Sequence, residues 1–406
     1  MSRHIFLVAG EESGDRLGAA LIAALRQRTQ GQVQVSGVGG AHIIAEGVPS
    51  LFPLGDLAIM GFTAIPARLP KIFRRIRETA DAIVAAKPDV LVIVDSPEFT
   101  HRVARRVRAR APEIPIVDYV CPSVWAWRSS RARTMRAYVD HVLALLPFEP
   151  KVMAELGGPP CSYVGHPLTE RVHELRPKDL DKRLRLTDPP LLLVLPGSRT
   201  GEVRRMAPVF GAAIARVAEQ FGAIEVVVPA VPRLADTVRA EIASWRIPAR
   251  VITDADEKLE AFRTARAALT KSGTSTLELA ISGVPMVAAY RVPLIEELAA
   301  RLLVNVPSVI LANLVLGENA VPEFLQRDCT ADRLAKALVP LLADTPERRQ
   351  QIEAFARLDA IMEAGKGSPS DRAAAVVLDV AGPKNGQTRE APALAQVGYD
   401  LLRGPG

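Results

Sequence analysis

Cysteine is scarce in this sequence and does not indicate cross-links or a metal centre. The 406 residues include three cysteines, Cys121, Cys161 and Cys329, which lie far apart. An odd number of widely spaced cysteines argues against a disulfide framework and fits a reducing compartment. Cysteine and histidine do not recur at the spacing of a zinc site. The cysteine content therefore argues against both a disulfide framework and a zinc site.

Long apolar runs are also missing. No stretch of about 18 apolar residues occurs, which argues against a transmembrane helix. Near the start of the chain, Glu11, Glu12 and Asp15 interrupt the apolar residues, so no secretory signal is expected. Aromatic residues make up only 5% of the chain and hydrophobic residues 49%. This composition is typical of a globular protein built from stacked strands and helices.

The stretch at residues 5–28 has the pattern that opens a doubly wound α/β domain. An apolar run at residues 5–9 is followed by the loop Gly10-Glu11-Glu12-Ser13-Gly14-Asp15 and then by an amphipathic helical pattern. We expect Gly10 and Gly14 to allow unusual backbone conformations, and Ser13 or Asp15 to cap the helix. The loop matches neither dinucleotide nor P-loop fingerprints, and its acidic residues would repel a diphosphate.

The alternation of strand and helix patterns predicts two Rossmann-like domains in tandem with a cleft between them. The expected boundaries are an N-terminal domain at 1–172, a linker at 173–190, a C-terminal domain at 191–381 and a disordered tail at 382–406. The linker prediction depends on prolines, charges and weak apolar patterning. The C-terminal helices can pack back on the N-terminal domain. The fold class is therefore α/β.

Two loops of the second domain are suited to phosphate. Pro196-Gly197-Ser198-Arg199 follows an apolar strand pattern and opens a helix, where free backbone N–H groups and an arginine favour an anion. Lys271-Ser272-Gly273-Thr274-Ser275-Thr276-Leu277-Glu278 has the same position after a later strand, and Glu278 could accept hydrogen bonds from a ribose. Either loop alone could be an ordinary turn with a helix cap. Together they favour the binding of a phosphate or diphosphate group.

The first domain offers a different set of groups. Asp95 ends a buried strand pattern, and a carboxylate there or at Glu11 could act as a general base toward a hydroxyl. For either carboxylate alone, helix capping is the ordinary alternative. The loop that contains Ser123, Trp125, Trp127 and Arg128 suggests recognition of a sugar, lipid or base. His166 is either structural or part of a cleft, and the pattern does not decide between these roles.

The net charge is +6 and the pI is near 9.4, which favours an anionic partner. Three basic runs without acidic residues carry much of this charge, at residues 68–77, 99–111 and 128–136. They lack a nucleic-acid-binding motif, so a nucleic-acid-binding protein is the weaker alternative. Around residues 60–77, apolar and basic residues recur at near-helical spacing, which indicates either contact with an anionic membrane or an ordinary surface helix. The candidate membrane residues are Phe62, Ile65, Leu69, Ile72, Phe73, Arg74 and Arg75.

Several of these motifs, taken in order, resemble the lipid-A-disaccharide synthase family. The resemblance rests on the residue 10–15 loop with the following Leu17-Gly18-Ala19, and on the segments 122–128, 146–149, 164–167, 195–199 and 272–278. It runs from about residue 5 to 320. Each motif is weak alone, and together they are specific.

The resemblance implies an inverting hexosyltransferase with the two-Rossmann-domain GT-B fold. Such an enzyme transfers 2,3-diacylglucosamine from its UDP conjugate to 2,3-diacylglucosamine 1-phosphate (lipid X), and releases the lipid A disaccharide 1-phosphate and UDP. It also implies no metal cofactor and peripheral binding to the cytoplasmic face of the inner membrane, an anionic surface. The oligomeric state is left open, with a homodimer as one option.

The resemblance further implies a division of roles between the domains. The donor UDP would contact Gly197, Ser198, Arg199, the residue 272–276 loop, Glu278 and Asn313, with Arg199 neutralising the departing UDP. Asp95 or Glu11 would be the base for the acceptor 6-hydroxyl. The acceptor and lipid side would comprise Ser13, Ser123, Trp125, Trp127, Arg128 and His166. Alternatives on the same fold are a UDP-N-acetylglucosamine 2-epimerase and an undecaprenyl-linked N-acetylglucosamine transferase.

Overall fold

The computed structural model describes residues 2–57, 65–293 and 308–382, and for residues 65–68 it describes the backbone alone. Contacts divide the chain into two compact units. Unit 1 extends to Pro167 and resumes at Ala364, whereas unit 2 comprises Leu168–Glu363. Each unit is an α/β domain built on one parallel sheet, which confirms the predicted fold class.

Unit 1 has a six-stranded parallel sheet in the order β2-β1-β3-β4-β5-β6. Its strands are β1 (Arg3–Ala9), β2 (Val33–Val38), β3 (Val90–Val94), β4 (Ile116–Tyr119), β5 (His141–Ala144) and β6 (Cys161–Tyr163). All five residues of β3 are buried, because both faces of this central strand are covered. The strand order reverses direction between β1 and β3, so the loops after these two strands flank the topological switch point.

Helices cover both faces of the unit 1 sheet. They are α1 (Glu12–Arg28), α2 (Ala41–Ala45), α3 (Ile65–Ala86), α4 (Pro97–Arg110), α5 (Ser130–Met135) and α6 (Glu149–Glu155). One apolar core contains residues of α1 and α2, such as Leu21 and Ile43. The other core contains residues of α3 and α4, such as Ile83 and Val103. None of the helices in the described part of the chain is both long enough and apolar enough to cross a bilayer.

Unit 2 has a second six-stranded parallel sheet, in the order β12-β11-β10-β7-β8-β9. Its strands are β7 (Leu191–Leu195), β8 (Glu225–Pro229), β9 (Ala249–Ile252), β10 (Ala267–Lys271), β11 (Met286–Tyr290) and β12 (Glu323–Leu325). Its helices are α7 (Val172–Leu175), α8 (Asp179–Leu184), α9 (Thr200–Phe221), α10 (Ala235–Ile242), α11 (Ala255–Thr264), α12 (Ser275–Ile281), α13 (Leu311–Leu316), α14 (Ala331–Leu342), α15 (Pro346–Ala356) and α16 (Leu358–Ile361). The switch point of this sheet lies between β7 and β10.

The last described helix, α17 (Pro369–Val380), belongs to unit 1. Its buried residues Ala373, Ala374 and Val377 share a core with α1. The Arg28 guanidinium donates hydrogen bonds to both carboxylate oxygens of Asp371, at 2.6 and 2.7 Å. The structure therefore separates α17 from the predicted 191–381 domain and agrees with the expectation that C-terminal helices pack on the N-terminal domain.

The segment predicted as a linker, residues 173–190, is instead folded into unit 2. Arg185 is buried there and donates hydrogen bonds to the carbonyl oxygens of Phe262, Arg263, Ser282 and Gly283. One guanidinium thus satisfies backbone groups of α11 and of the turn after α12. Its fork of donors fits such a cluster of carbonyls, which local polarity in the sequence does not reveal.

Candidate functional site

Asp95 directly follows β3 at the switch point of unit 1. The Ser13 hydroxyl donates a hydrogen bond to its Oδ2 atom at 2.6 Å. Its Oδ1 atom accepts the N–H of Ser96 at 2.7 Å. Asp95 and Ser96 both have positive φ angles, of 54° and 47°, which turn the chain sharply before α4. The structure therefore brings Ser13 and Asp95 together and holds the carboxylate half-buried at the carboxyl end of the central strand β3.

The glycines of the residue 10–15 loop allow this approach. A Cβ on Gly10 would lie 2.4 Å from the Cβ of Ser96, and a Cβ on Gly14 would lie 2.9 Å from the carbonyl oxygen of Val94. Neither glycine is among the residues with positive φ. The prediction of unusual backbone angles was therefore wrong here, because the glycines serve close packing between the start of α1 and the end of β3.

The acidic residues of this loop have different environments. Asp15 is buried and accepts N–H groups of Gly40, His42 and Ile43 at 2.6 to 3.1 Å, so it caps α2 and not α1. Ser13 does not cap α1 either, since its hydroxyl is bonded to Asp95. Glu11 and Glu12 are exposed, and Glu11 occupies the N-cap position of α1 without a side-chain capping bond.

The tryptophan loop is anchored by a carboxylate that the sequence reasoning did not assign to the site. Trp125 donates its indole N–H to Glu149 at 3.2 Å and packs edge-on against Phe148 at 5.5 Å between ring centroids. Glu149 also accepts the N–H groups of Leu145 and Leu146 at 3.1 and 2.9 Å. Burial raises the pKa of Glu149 to about 7, although these hydrogen bonds lower it. Glu149 lies in the segment Leu146-Pro147-Phe148-Glu149, which is one of the motifs of the family resemblance and could have pointed to this anchor.

Beyond this anchor, the loop presents groups to solvent. Trp127 is 38% exposed, and the Arg128 guanidinium lies 4.5 Å from its ring centroid. Ser123 is exposed as well. Glu98, in the first turn of α4, lies 2.9 Å from Arg131 and 3.8 Å from Arg128. Burial raises the pKa of Glu98, but these arginines outweigh it, so that the pKa is lowered overall.

His166 is buried, with 9% of its surface exposed. Burial lowers its pKa to about 4, so the imidazole is neutral near pH 7. It lies immediately before Pro167, the last residue of the first segment of unit 1. Its small exposed area makes the structural role the better interpretation, in place of the predicted acceptor contact.

Helix α3 divides the predicted membrane residues into two groups. Leu69, Phe73 and Arg74 are exposed, the first two at 39% and 44%. Ile72 instead packs against the core. Arg75 is ion-paired with Asp56 and lies 4.5 Å above the ring of Phe52, so it also departs from the predicted membrane face. Phe62 and the side chain of Ile65 lie outside the described residues.

In unit 2, the loop after β7 places its groups differently from the prediction. Gly197 has a φ of 144°, and Arg199 is the exposed N-cap residue of α9. The N–H of Ser198 donates to the Glu202 carboxylate at 3.0 Å, so this N–H is not free for a phosphate. The same carboxylate lies 3.0 Å from the Lys271 ammonium, at the end of β10. Glu202 was not predicted as a site residue, and Lys271 was named only as the first residue of the second phosphate-suited loop.

In the second loop, two side-chain hydroxyls donate hydrogen bonds to carbonyl oxygens of the chain itself. The hydroxyl of buried Ser272 donates to the carbonyl of Val309 at 2.8 Å, and that of buried Thr276 donates to the carbonyl of Gly273 at 2.8 Å. These two hydroxyls therefore depart from the predicted ligand contacts. Gly273 has a φ of 157° and Thr274 is exposed, with Ser275 half-exposed as the first residue of α12. The groups left for a ligand are those at 273–275.

Glu278 and Asn313 have contrasting positions. Both carboxylate oxygens of Glu278 lie 3.3 Å from the ammonium of Lys258, a partner that the sequence reasoning missed. Asn313 is 2% exposed. Its amide donates to the carbonyl of Val321 and accepts the N–H of Val321, both at 2.9 Å. Asn313 is thus an internal support of α13, which corrects its predicted contact with the donor.

Comparison with known proteins identifies the family. A sequence profile described as lipid-A-disaccharide synthetase matches residues 5–377. A protein from Nitrobacter hamburgensis named lipid-A-disaccharide synthase is 58% identical over 378 residues, which cover 93% of this chain and 96% of the relative. The chain belongs to the lipid-A-disaccharide synthase family. A second relative with the same name, from Bradyrhizobium diazoefficiens, is 58% identical over 376 residues, or 93% of this chain and 96% of the relative.

Membership in this family confirms the predicted activity. The chain is a hexosyltransferase of lipid A biosynthesis, with a UDP-sugar donor and lipid X as the acceptor implied by the family. The family assignment disfavours the epimerase, the undecaprenyl-linked transferase and the nucleic-acid-binding protein that the sequence left as alternatives.

Solved structures agree on the GT-B fold. UDP-GlcNAc 2-epimerase from Neisseria meningitidis bound to UDP-GlcNAc superposes with a TM-score of 0.60 at 12% identity, over 93% of this chain and 98% of that one. The calicheamicin glycosyltransferase CalG4 superposes with a TM-score of 0.59 at 17% identity, over 95% of this chain and all of that one (100%). At such identities these likenesses concern the fold alone.

Proposed function

We propose that unit 2 binds the UDP part of the donor at the switch point between β7 and β10. The support is the arrangement of exposed Arg199, the first turn of the long helix α9, and the loop at 273–275. The N–H groups at the start of a helix lack intrahelical partners and favour an anion. Glu278, fixed by Lys258, accepts hydrogen bonds from the ribose. The neighbour from Neisseria meningitidis, which shares the fold, is described as bound to UDP-GlcNAc.

In this proposal, unit 1 binds the acceptor, and Asp95 is the general base. The observation that carries it is the geometry of Asp95, which is half-buried after β3 and bonded to Ser13 at 2.6 Å. Glu11 is exposed on the neighbouring loop and orients the acceptor instead. Asp95 takes the proton of the acceptor 6-hydroxyl as the oxygen forms a bond to C1 of the donor sugar. The C1–O bond to UDP breaks with inversion, and Arg199 stabilises the charge on the departing diphosphate.

We further propose that unit 1 contacts an anionic membrane surface through a patch made of Leu69, Phe73, Arg74, Trp127 and Arg128. Phe73 and Leu69 are exposed one helical turn apart, and the Arg102 guanidinium lies 5.6 Å from the Phe73 ring centroid. Exposed apolar side chains among arginines match the interface of an anionic bilayer. This patch would deliver acylated substrates to the enzyme. The homodimer stays a prediction, which light scattering of the purified protein would check.

The donor site is tested by UDP binding in isothermal titration calorimetry. Arg199→Ala should weaken UDP binding about tenfold or more, because a charge-assisted hydrogen bond to phosphate is lost. The matched control is Arg204→Ala, since Arg204 is exposed on the same helix and lies 3.6 Å from Glu241. Equal UDP affinity in the two variants would place the donor elsewhere.

A further inference from the structure

A buried ion pair joins the two proposed donor loops of unit 2. Glu202, in the first turn of α9, has one carboxylate oxygen 3.0 Å from the ammonium of Lys271, the last residue of β10. Its other oxygen accepts the N–H of Ser198 at 3.0 Å. The Lys271 ammonium also lies 4.7 Å from the ring centroid of Tyr290, the last residue of β11. These contacts link the carboxyl ends of three neighbouring strands, β7, β10 and β11.

The pair is shielded from solvent. The Glu202 side chain is 6% exposed and that of Lys271 is 18% exposed. Gly197 makes room for the carboxylate, since a Cβ there would lie 2.5 Å from the Cβ of Glu202. Because water is largely excluded, removing one partner leaves the other charge poorly compensated, a loss greater than that of a surface pair. Without Lys271, the Glu202 carboxylate is left with the N–H of Ser198 and with the exposed Arg199 guanidinium, which lies 3.7 Å away.

The pair of Glu202 and Lys271 lies between the two loops that flank the switch point of unit 2. Ser198 and Arg199 lie on one side of the switch point, and Gly273 and Thr274 follow Lys271 on the other side. Glu202 holds the first loop through Ser198, and it holds the second through Lys271. The pair therefore sets the spacing of the two loops that flank the switch point, where a parallel sheet binds its ligand.

We propose that Glu202 and Lys271 are positioning residues that hold these loops at the spacing required by a nucleoside diphosphate. This inference rests on the proposed donor site. Neither side chain contacts the ligand in this scheme, since each already has its partner in the pair. Their effect is preorganisation, because loops that are already ordered lose less conformational entropy when the ligand binds.

The test compares Glu202→Gln and Lys271→Met with Lys271→Arg, measuring the Kd for UDP, the KM for the donor, kcat and the thermal unfolding midpoint. Glu202→Gln and Lys271→Met should each raise Kd and KM about tenfold and change kcat less than threefold, as expected for binding lost equally from ground and transition states. The double variant should be no worse than either single variant, because both remove the same contact. Lys271→Arg keeps the charge and should restore most of the affinity.

The matched control is Asp332→Asn, which removes an exposed ion pair with Arg216, 2.9 Å long, in the same unit. Its UDP affinity should equal that of the unmodified protein. Unchanged UDP affinity in folded Glu202→Gln and Lys271→Met, alongside weakened binding in Arg199→Ala, would overturn the positioning role and leave the donor site standing. Unchanged binding in Arg199→Ala as well would overturn the donor site itself. If Lys271→Met fails to fold, Glu202→Gln decides: unchanged UDP affinity in that folded variant, alongside weakened binding in Arg199→Ala, overturns the positioning role.

Discussion

The buried carboxyl group of Glu149 anchors the tryptophan loop of unit 1. Its carboxylate accepts three hydrogen bonds, from Trp125 and from two backbone N–H groups, and the residue is only 3% exposed. Burial still prevails over these bonds and raises its pKa from 4.5 to about 7. The folded protein therefore retains a proton on Glu149 at pH values where the unfolded chain has released it.

The stability of unit 1 should consequently fall as pH rises through the window from about 4.5 to 7, because ionising Glu149 costs more in the folded state. The difference in pKa corresponds to about 3 kcal/mol. Glu149→Gln should lack this loss. Urea unfolding at pH 5 and pH 8, followed by tryptophan fluorescence, measures it.

Two comparisons isolate the effect of Glu149. Glu155→Gln, at an exposed position of the same helix, should keep the pH dependence of the unmodified protein. His166, whose pKa is lowered to about 4, destabilises the fold as pH falls below 6.5, and it does so equally in all three proteins. Parallel pH profiles for the unmodified protein and Glu149→Gln would refute the account.

At the scale of elements, α3 combines a core face with an exposed face. Ile76 and Ile83 are buried in the unit 1 core, while Leu69 and Phe73 are exposed. Arg75 stabilises the fold through Asp56, so only part of the basic run at 68–77 remains for a membrane. Arg74 is exposed and is the better probe of headgroup contact.

Phe73→Ser combined with Arg74→Glu should reduce binding to vesicles of anionic phospholipid about tenfold or more, because one buried aromatic side chain contributes about 1.5–3 kcal/mol and the charge change adds repulsion. Co-sedimentation measures this binding. Lys87→Glu makes a similar charge change beyond the far end of α3 and should leave binding unchanged. Equal binding by both variants would show that the patch does not meet the membrane.

Elements also show which features the sequence could predict. The apolar runs of β3 and β7 were recognisable because central parallel strands bury all or most of their residues. Asp95 and Arg199 could be predicted because ligand-binding loops of parallel sheets follow the carboxyl ends of the strands. The partner of Ser198 was harder to foresee, although a glutamate four residues later, in the first turn of a helix, is a signal of a side chain that reaches back. Asn313 and Arg185 depend on distant carbonyls, which no local pattern reveals.

At the scale of the whole molecule, two parallel sheets repeat one plan. Each sheet reverses its strand order. The side chains to which we assign binding or catalytic roles lie near these two reversal points. Ser13 and Asp95 meet at the first point, and Glu202 and Lys271 at the second. In our proposal the half-buried Asp95 carboxylate faces the acceptor, whereas in unit 2 the Glu202 carboxylate is paired with Lys271 and Arg199 remains exposed. This difference in charge supports the proposal that unit 1 binds the acceptor and unit 2 binds the UDP moiety.

The central claim, that Asp95 is the base for the acceptor hydroxyl, is tested most directly by disaccharide formation from UDP-2,3-diacylglucosamine and lipid X. Asp95→Asn keeps an acceptor for Ser13 but cannot take a proton, so kcat should fall at least about 100-fold with donor affinity unchanged. Glu12→Gln, at the exposed first residue of α1, should retain near-normal kcat. A kcat for Asp95→Asn equal to that of Glu12→Gln would contradict the claim.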